Sequence, residues 1–98
     1  MNPETKIQND IIEYLKKNKI PVWRVSENHN MIGFPDLLAI LPWNGKFFSI
    51  EVKTPTGHVS DVQESVHLRI RSAKGIALVA RSVQDVSDLV NREYQWDE

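Results

Sequence analysis

Asp36 stands at the head of one apolar run, "PDLLAIL", and Glu51 and Lys53 stand at the foot of the next, "FFSIEVK". Unpaired charges are kept out of buried strands, because desolvating them costs several kcal/mol or more. Two carboxylates and an ammonium at one place do have a use. Acidic oxygens hold Mg²⁺, which takes oxygen ligands and keeps several of its waters. Such an ion acidifies water and screens charge on a phosphodiester. A lysine beside it orients or deprotonates the attacking water, since lysine pKa values respond strongly to surroundings. The backbone carbonyl of Val52, which faces away from its own side chain, is a further candidate oxygen ligand. The competing reading is a plain cross-strand ion pair, worth roughly 0.2–1 kcal/mol. The three residues alone leave both open.

What positions them is a hairpin. Residues 36–41 and 46–53 flank Asn44-Gly45, the strongest short-range hairpin signal. Strand pairing places Asp36 opposite residue 51, 52 or 53. Glu51 and Lys53, two apart, share a face. A slip of one residue would flip the face that Asp36 uses. Trp43, beside the turn, is either an exposed interaction residue or a turn anchor.

The remaining elements follow from caps and periodicity. Asn2 caps a helix with Pro3 at its first position, and Ile7, Ile11, Ile12 and Leu15 form its apolar stripe. "VWRV" (22–25) reads as a strand and "SENHNMIGF" as a loop punctuated by Gly33. Ser60 with Gln63 makes a capping-box pattern, opening a helix with Val62, Val66, Ile70 and Ala73 as its stripe. Gly75 is its natural stop. "IALVA" (76–80) is a short buried strand, and Ser82 caps a last helix carrying Val83, Val86, Leu89 and Val90. The order is α-β-β-β-α-β-α, a small mixed α/β domain.

At 98 residues, with 41% apolar and 26% charged residues, the whole chain (1–98) reads as one globular domain. It has no cysteine, which excludes disulfides and thiolate metal sites and fits a cytoplasmic or otherwise intracellular setting. No apolar run approaches the ~20 residues of a membrane span, and the first residues lack the layout of a signal peptide. A net charge of −1 argues against a protein that coats nucleic acid by bulk electrostatics. Basic residues are nevertheless clustered: Arg69, Arg71, Lys74 and Arg81 have no acid between them, and Lys16, Lys17 and Lys19 form a second group. Acids gather late, at Asp85, Asp88, Glu93, Asp97 and Glu98.

Pro35-Asp36, fourteen residues, then Glu51-Val52-Lys53 resembles the PD-(D/E)xK nuclease signature. The wider context is similar to the virus-type replication-repair nuclease (VRR-NUC) domain: "PETKIQNDIIEYL", "VWRV", "GFPDLLAI", "FFSIEVKTPTGHVSDVQ" and "GIALVA". The resemblance implies a restriction-endonuclease-like fold, a mixed β-sheet with an αβββαβ core plus a C-terminal helix. It implies divalent-metal-dependent cleavage of DNA, with Mg²⁺ or Mn²⁺ as cofactor. Asp36 and Glu51 look like metal ligands, and Lys53 like the residue that orients water or contacts phosphate. Glu4 matches a first-helix acid that completes such sites, and Gln63 a supporting glutamine. The helix dipole and the capping box are the ordinary explanations of these two.

Arg24, Arg69, Arg71, Lys74 and Arg81 are candidates for DNA-backbone contacts, which make binding salt-dependent. His67, one turn after Gln63, reads as a helix-surface residue. His29, in the loop before Gly33, and His58, after Gly57, are weaker candidates near the site. A domain this small has no room for a separate sequence-reading module, so branched DNA or a four-way junction recognised by shape is the expected substrate. The resemblance implies a homodimer, and two-fold pairing is the commonest way to enlarge a small domain. The alternatives are a non-catalytic nucleic-acid-binding or assembly module that retains the fold, and a protein-interaction domain whose charges form only a salt bridge.

Overall fold

A computed structural model describes residues 1–25 and 32–94. The elements run α1 (Pro3–Lys17), β1 (Val22–Arg24), β2 (Leu37–Ile40), β3 (Phe47–Val52), α2 (Asp61–Ser72), β4 (Ile76–Ala80) and α3 (Val83–Glu93). Each helix start is capped by a side chain. Asn2 Oδ1 accepts the Thr5 amide at 2.8 Å, Ser60 Oγ the Gln63 amide at 3.1 Å and Ser82 Oγ the Asp85 amide at 3.3 Å. These satisfy amides that have no partner inside the helix.

The four strands lie in the order β1-β2-β3-β4. The first three are antiparallel neighbours, and α2 carries the chain across to β4, which pairs parallel to β3. Strand β3 is therefore central. Its alternation separates two layers. Phe48, Ile50 and Val52 join Leu37, Ala39 and Leu41 in a core closed by Ile11 and Leu15 of α1 and Val86, Leu89 and Val90 of α3. The other face of β3 presents Phe47, Ser49 and Glu51 towards α2. Both faces being covered explains why β3 is buried from Phe48 to Val52.

The hairpin closes differently from a two-residue Asn-Gly turn. Leu41 and Lys46 are joined by a backbone hydrogen bond of 3.0 Å, and Gly45 donates to the Leu41 carbonyl at 2.7 Å. The loop is thus 42–45, with Gly45 at φ +75°, a left-handed conformation that glycine adopts without penalty. Asn44 contributes through its side chain, which accepts the Lys46 amide. Trp43 is the anchor rather than an exposed tip. Its ring meets Tyr94 edge-on at 5.0 Å between centroids, and it packs against the main core.

Two further expectations change. The left-handed residue ending α2 is Lys74, at φ +72°, not Gly75. Gly75 is needed for space: a Cβ there would lie 2.9 Å from Ile70 Cγ2 and 3.3 Å from Phe47. The apolar stripe expected on α2 does not enter the core. Val62 is half exposed, and Val66 and Ile70 line an open groove of about 510 Å³ with Phe34, Phe47 and Arg69. The buried residue of α2 is His67.

Candidate active site

The register resolves the hairpin. Leu37 pairs with Ile50 and Leu38 with Ser49, so the next pair outward is Asp36 with Glu51. Both side chains point to the α2 side, at the end of β3. Asp36 is held from both sides: its carbonyl accepts the Val25 amide at 2.9 Å and its Oδ2 accepts the Val52 amide at 2.7 Å. The preceding Pro35 is fully buried, which fixes the approach of the chain.

Glu51 is 2% exposed. Its Oε2 accepts from Gln63 Nε2 at 3.1 Å and lies 3.7 Å from Lys53 Nζ. Its Oε1 is buried with no hydrogen-bond partner among the described residues. The carboxyl is pushed up to about 8, first by burial, then by the charge of Asp36 and a side-chain hydrogen bond with it that favours the protonated form, with Lys53 opposing the rise and Glu4 adding to it. Burial and a like charge both disfavour the ionised form. One ammonium does not offset them.

Gln63 belongs to both schemes that the sequence leaves open. Its Oε1 accepts the Ser60 amide at 3.0 Å, completing the capping box, while Nε2 reaches Glu51. The Ser60 N–H must face an acceptor, so the cap itself orients the amide with its NH₂ towards the carboxylate.

Glu4 acts at Glu51 as charge from the first turn of α1. Among the described residues, no three His, Cys, Asp or Glu side chains gather closely enough to form a metal-binding group. Glu4 therefore does not close on the pair in this conformation. The pair itself fits a divalent cation: a buried Glu51 carboxyl beside a half-buried Asp36 forms an acidic oxygen donor set.

His67 corrects an expectation. It is fully buried, neither ring nitrogen has a partner among the described residues, and its pKa is lowered by burial, then by Arg71, with Lys53 adding and Glu64 opposing. The signal available in the sequence was its spacing of four from Gln63, which puts both on one helical face. His58 is exposed in the loop after Gly57, and His29, Asp97 and Glu98 lie outside the described residues.

The basic candidates divide. Arg24 donates through Nη1 to Gln8 at 2.7 Å and through Nη2 to Asn9, tying β1 to α1. Arg71 donates to the Ala77 carbonyl at 2.7 Å and lies 3.9 Å from Glu64. Arg81 donates to the Thr54 and Gly57 carbonyls. Arg69 and Lys74 are exposed, and their side chains make no hydrogen bond or ion pair among the described residues.

The model of the VRR-NUC domain matches residues 2–84, which include every element from α1 to β4. The chain belongs to the VRR-NUC family. A solved structure described as a VRR-NUC domain superposes with a TM-score of 0.82 at 27% identity, covering 96% of this chain and all of the other. A second, described as a VRR-NUC domain protein, has a TM-score of 0.75 at 16% identity, covering 94% and 88%, and shows the shared fold. No curated protein matches. The VRR-NUC fold is the restriction-endonuclease-like one expected from the hairpin motif, and the family is one of nucleases that act on DNA and generally use divalent metal ions. No helix among the described residues is long and apolar enough to cross a membrane.

Proposed function

We propose that this VRR-NUC protein is a Mg²⁺- or Mn²⁺-dependent DNA endonuclease whose centre is Asp36, Glu51 and Lys53. The observation that carries this reading is the Asp36–Glu51 pair, with Glu51 buried and Asp36 half-buried beside it, a juxtaposition that pushes Glu51 up to about 8. A pair kept only for stability would be better replaced by apolar residues of similar size. A cation removes the conflict.

Asp36 and Glu51 would be the ligands, with the Val52 carbonyl as a further oxygen donor and Glu4 a donor only once the first turn of α1 moves closer to the pair. When bound, the ion neutralises charge developing on the phosphate and makes water more acidic. The Val52 amide holds the Asp36 carboxylate, and Gln63 holds that of Glu51. Lys53 keeps its ammonium on the same face as the carboxylates, where it orients the attacking water and stabilises charge on the scissile phosphate. The products are a 3′ and a 5′ end, one bearing the phosphate and the other a hydroxyl. Arg69 and Lys74, exposed and with side chains unpaired among the described residues, are the candidates for contacts to DNA phosphates.

The small size of the VRR-NUC domain itself favours recognition of DNA shape, as in a branched or four-way junction, and a homodimer that places two centres on symmetric strands. Sedimentation across working concentrations tests the dimer, and a monomer throughout would overturn it. Labelled four-way junction, flap, single strand and linear duplex, each incubated with Mg²⁺ or Mn²⁺, test the substrate. Preferential cutting of the junction is expected. Equal cutting of all four would remove the structure selectivity, and no cutting would favour a non-catalytic DNA-binding module.

A further inference from the structure

Arg81 is charged and follows directly on β4, which makes it look like a phosphate contact. Its guanidinium is turned inward instead. Nη1 donates to the Thr54 carbonyl at 2.6 Å and to the Gly57 carbonyl at 2.7 Å. Gly57 closes the same turn by donating its amide to the Thr54 carbonyl at 3.1 Å. One residue upstream, the Lys53 amide donates to the Ala80 carbonyl at 3.0 Å. The Arg81 amide is itself fixed on Asp85 Oδ2 at 2.8 Å. The chain leaving the candidate centre is thus tied to Ala80 and Arg81 over the stretch 53–57.

Lys53 needs such support. It lies just past the end of β3, where its amide hydrogen bond to Ala80 is the last tie to the sheet and the chain beyond it enters a loop, a kind of segment that is ordinarily more mobile. Its ammonium must nevertheless stay near Glu51, now 3.7 Å away, and displacements of an ångström at a reacting group cost large factors in rate. Charge-assisted hydrogen bonds are stronger than neutral ones. A guanidinium presents its donors in a rigid plane, which a lysine ammonium on a flexible stem does not reproduce. The turn is also close-packed at 57, where a Cβ would lie 3.2 Å from Thr54 Oγ1 and the hydroxyl would have to shift by a few tenths of an ångström.

We propose that Arg81 is a positioning residue: it braces the 54–57 turn and so holds Lys53 at the carboxylate pair, rather than binding DNA. The inference rests on the nuclease reading for its catalytic consequence and on the hydrogen bonds alone for the brace.

The test compares the full-length wild type with Arg81→Ala and Arg81→Lys. Single-turnover cleavage at saturating DNA is measured beside DNA affinity over a salt series, with Lys74→Ala as the reference for a phosphate contact. The expected result is a fall of about tenfold or more in the saturated rate for both Arg81 variants, with an unchanged salt slope, while Lys74→Ala lowers that slope by about one. Amide exchange at Lys53 and Gly57 is followed in the same proteins and is expected to quicken by about tenfold or more as the turn opens more often. Arg81→Lys carries the comparison if Arg81→Ala does not fold. A reduced salt slope with a wild-type saturated rate would make Arg81 a DNA contact and overturn the proposal. Unchanged exchange at Lys53 and Gly57 would overturn it as well. Faster exchange in a wild-type background that cuts no DNA would leave the brace standing and remove the nuclease reading instead.

Discussion

Gln63 donates Nε2 to Glu51 Oε2 at 3.1 Å while its Oε1 accepts the Ser60 amide at 3.0 Å. A single side chain thereby starts α2 and orients the buried carboxylate. The two roles separate by mutation. Ser60→Ala removes a capping partner and is expected to cost about 1 kcal/mol of stability with little loss of cleavage. Gln63→Ala is expected to cost a similar amount and also to slow cleavage about tenfold or more, because Glu51 loses its orienting donor. Thermal melts beside single-turnover rates check this, and equal rates in the two variants would confine Gln63 to the cap.

The raised Glu51 pKa gives the metal-free protein a distinct pH response. An unfolded glutamate titrates near 4.5 and the folded one near 8, so the folded state favours the protonated carboxyl. Its contribution to stability is fully present below pH 4.5 and is lost as pH rises towards 8, at up to about 1.4 kcal/mol per pH unit. Denaturant unfolding in a chelator is expected to show this decline, and Glu51→Gln is expected to flatten it. Metal binding expels the same proton, so Mn²⁺ affinity should climb with pH up to about 8.

His67 responds on the acid side. Its folded pKa lies below 6.5, so as pH falls below that value the unfolded chain takes up a proton that the buried ring resists. Stability falls accordingly. His67→Leu removes two buried nitrogens without partners and is expected to match or exceed wild-type stability and to lose this component of acid sensitivity. Melts between about pH 5 and 7 read the difference, and identical acid slopes would show that the ring is not buried in solution.

Removing the Lys53 ammonium leaves Glu51 with burial and Asp36 unopposed, which raises its pKa further. Lys53→Met is expected to slow cleavage by about two orders of magnitude and to shift the pH dependence of Mn²⁺ binding upward. A wild-type profile in calorimetric titrations across pH would place the ammonium away from the site in solution.

Much of this was legible from residue types. The helix caps at Asn2, Ser60 and Ser82 and the hairpin strands follow from local chemistry that tertiary packing does not override. The spacing of Asp36, Glu51 and Lys53 pointed to three side chains that the structure brings together. The register was not legible, because it turns on one residue in the loop: Gly45 bonding back to Leu41 selects Glu51 as the partner of Asp36. The buried face of α2 was also missed. Its apolar stripe suggested the core, yet Gln63 reaching Glu51 rotates the helix so that His67 turns inward and Val62 outward. Charge counts also did not show the bonds that Arg24, Arg71 and Arg81 make within the chain, since a guanidinium that binds carbonyls or amides of its own chain looks in sequence like one that awaits a phosphate.

The most direct measurement is single-turnover cleavage of a labelled four-way junction by wild type and Glu51→Gln, each with Mn²⁺ and with chelator. The wild type is expected to cut only with the metal, and Glu51→Gln to be silent in both conditions while remaining folded. Cutting by the wild type in chelator, or equal cutting by Glu51→Gln, would contradict a metal-dependent centre at Asp36 and Glu51.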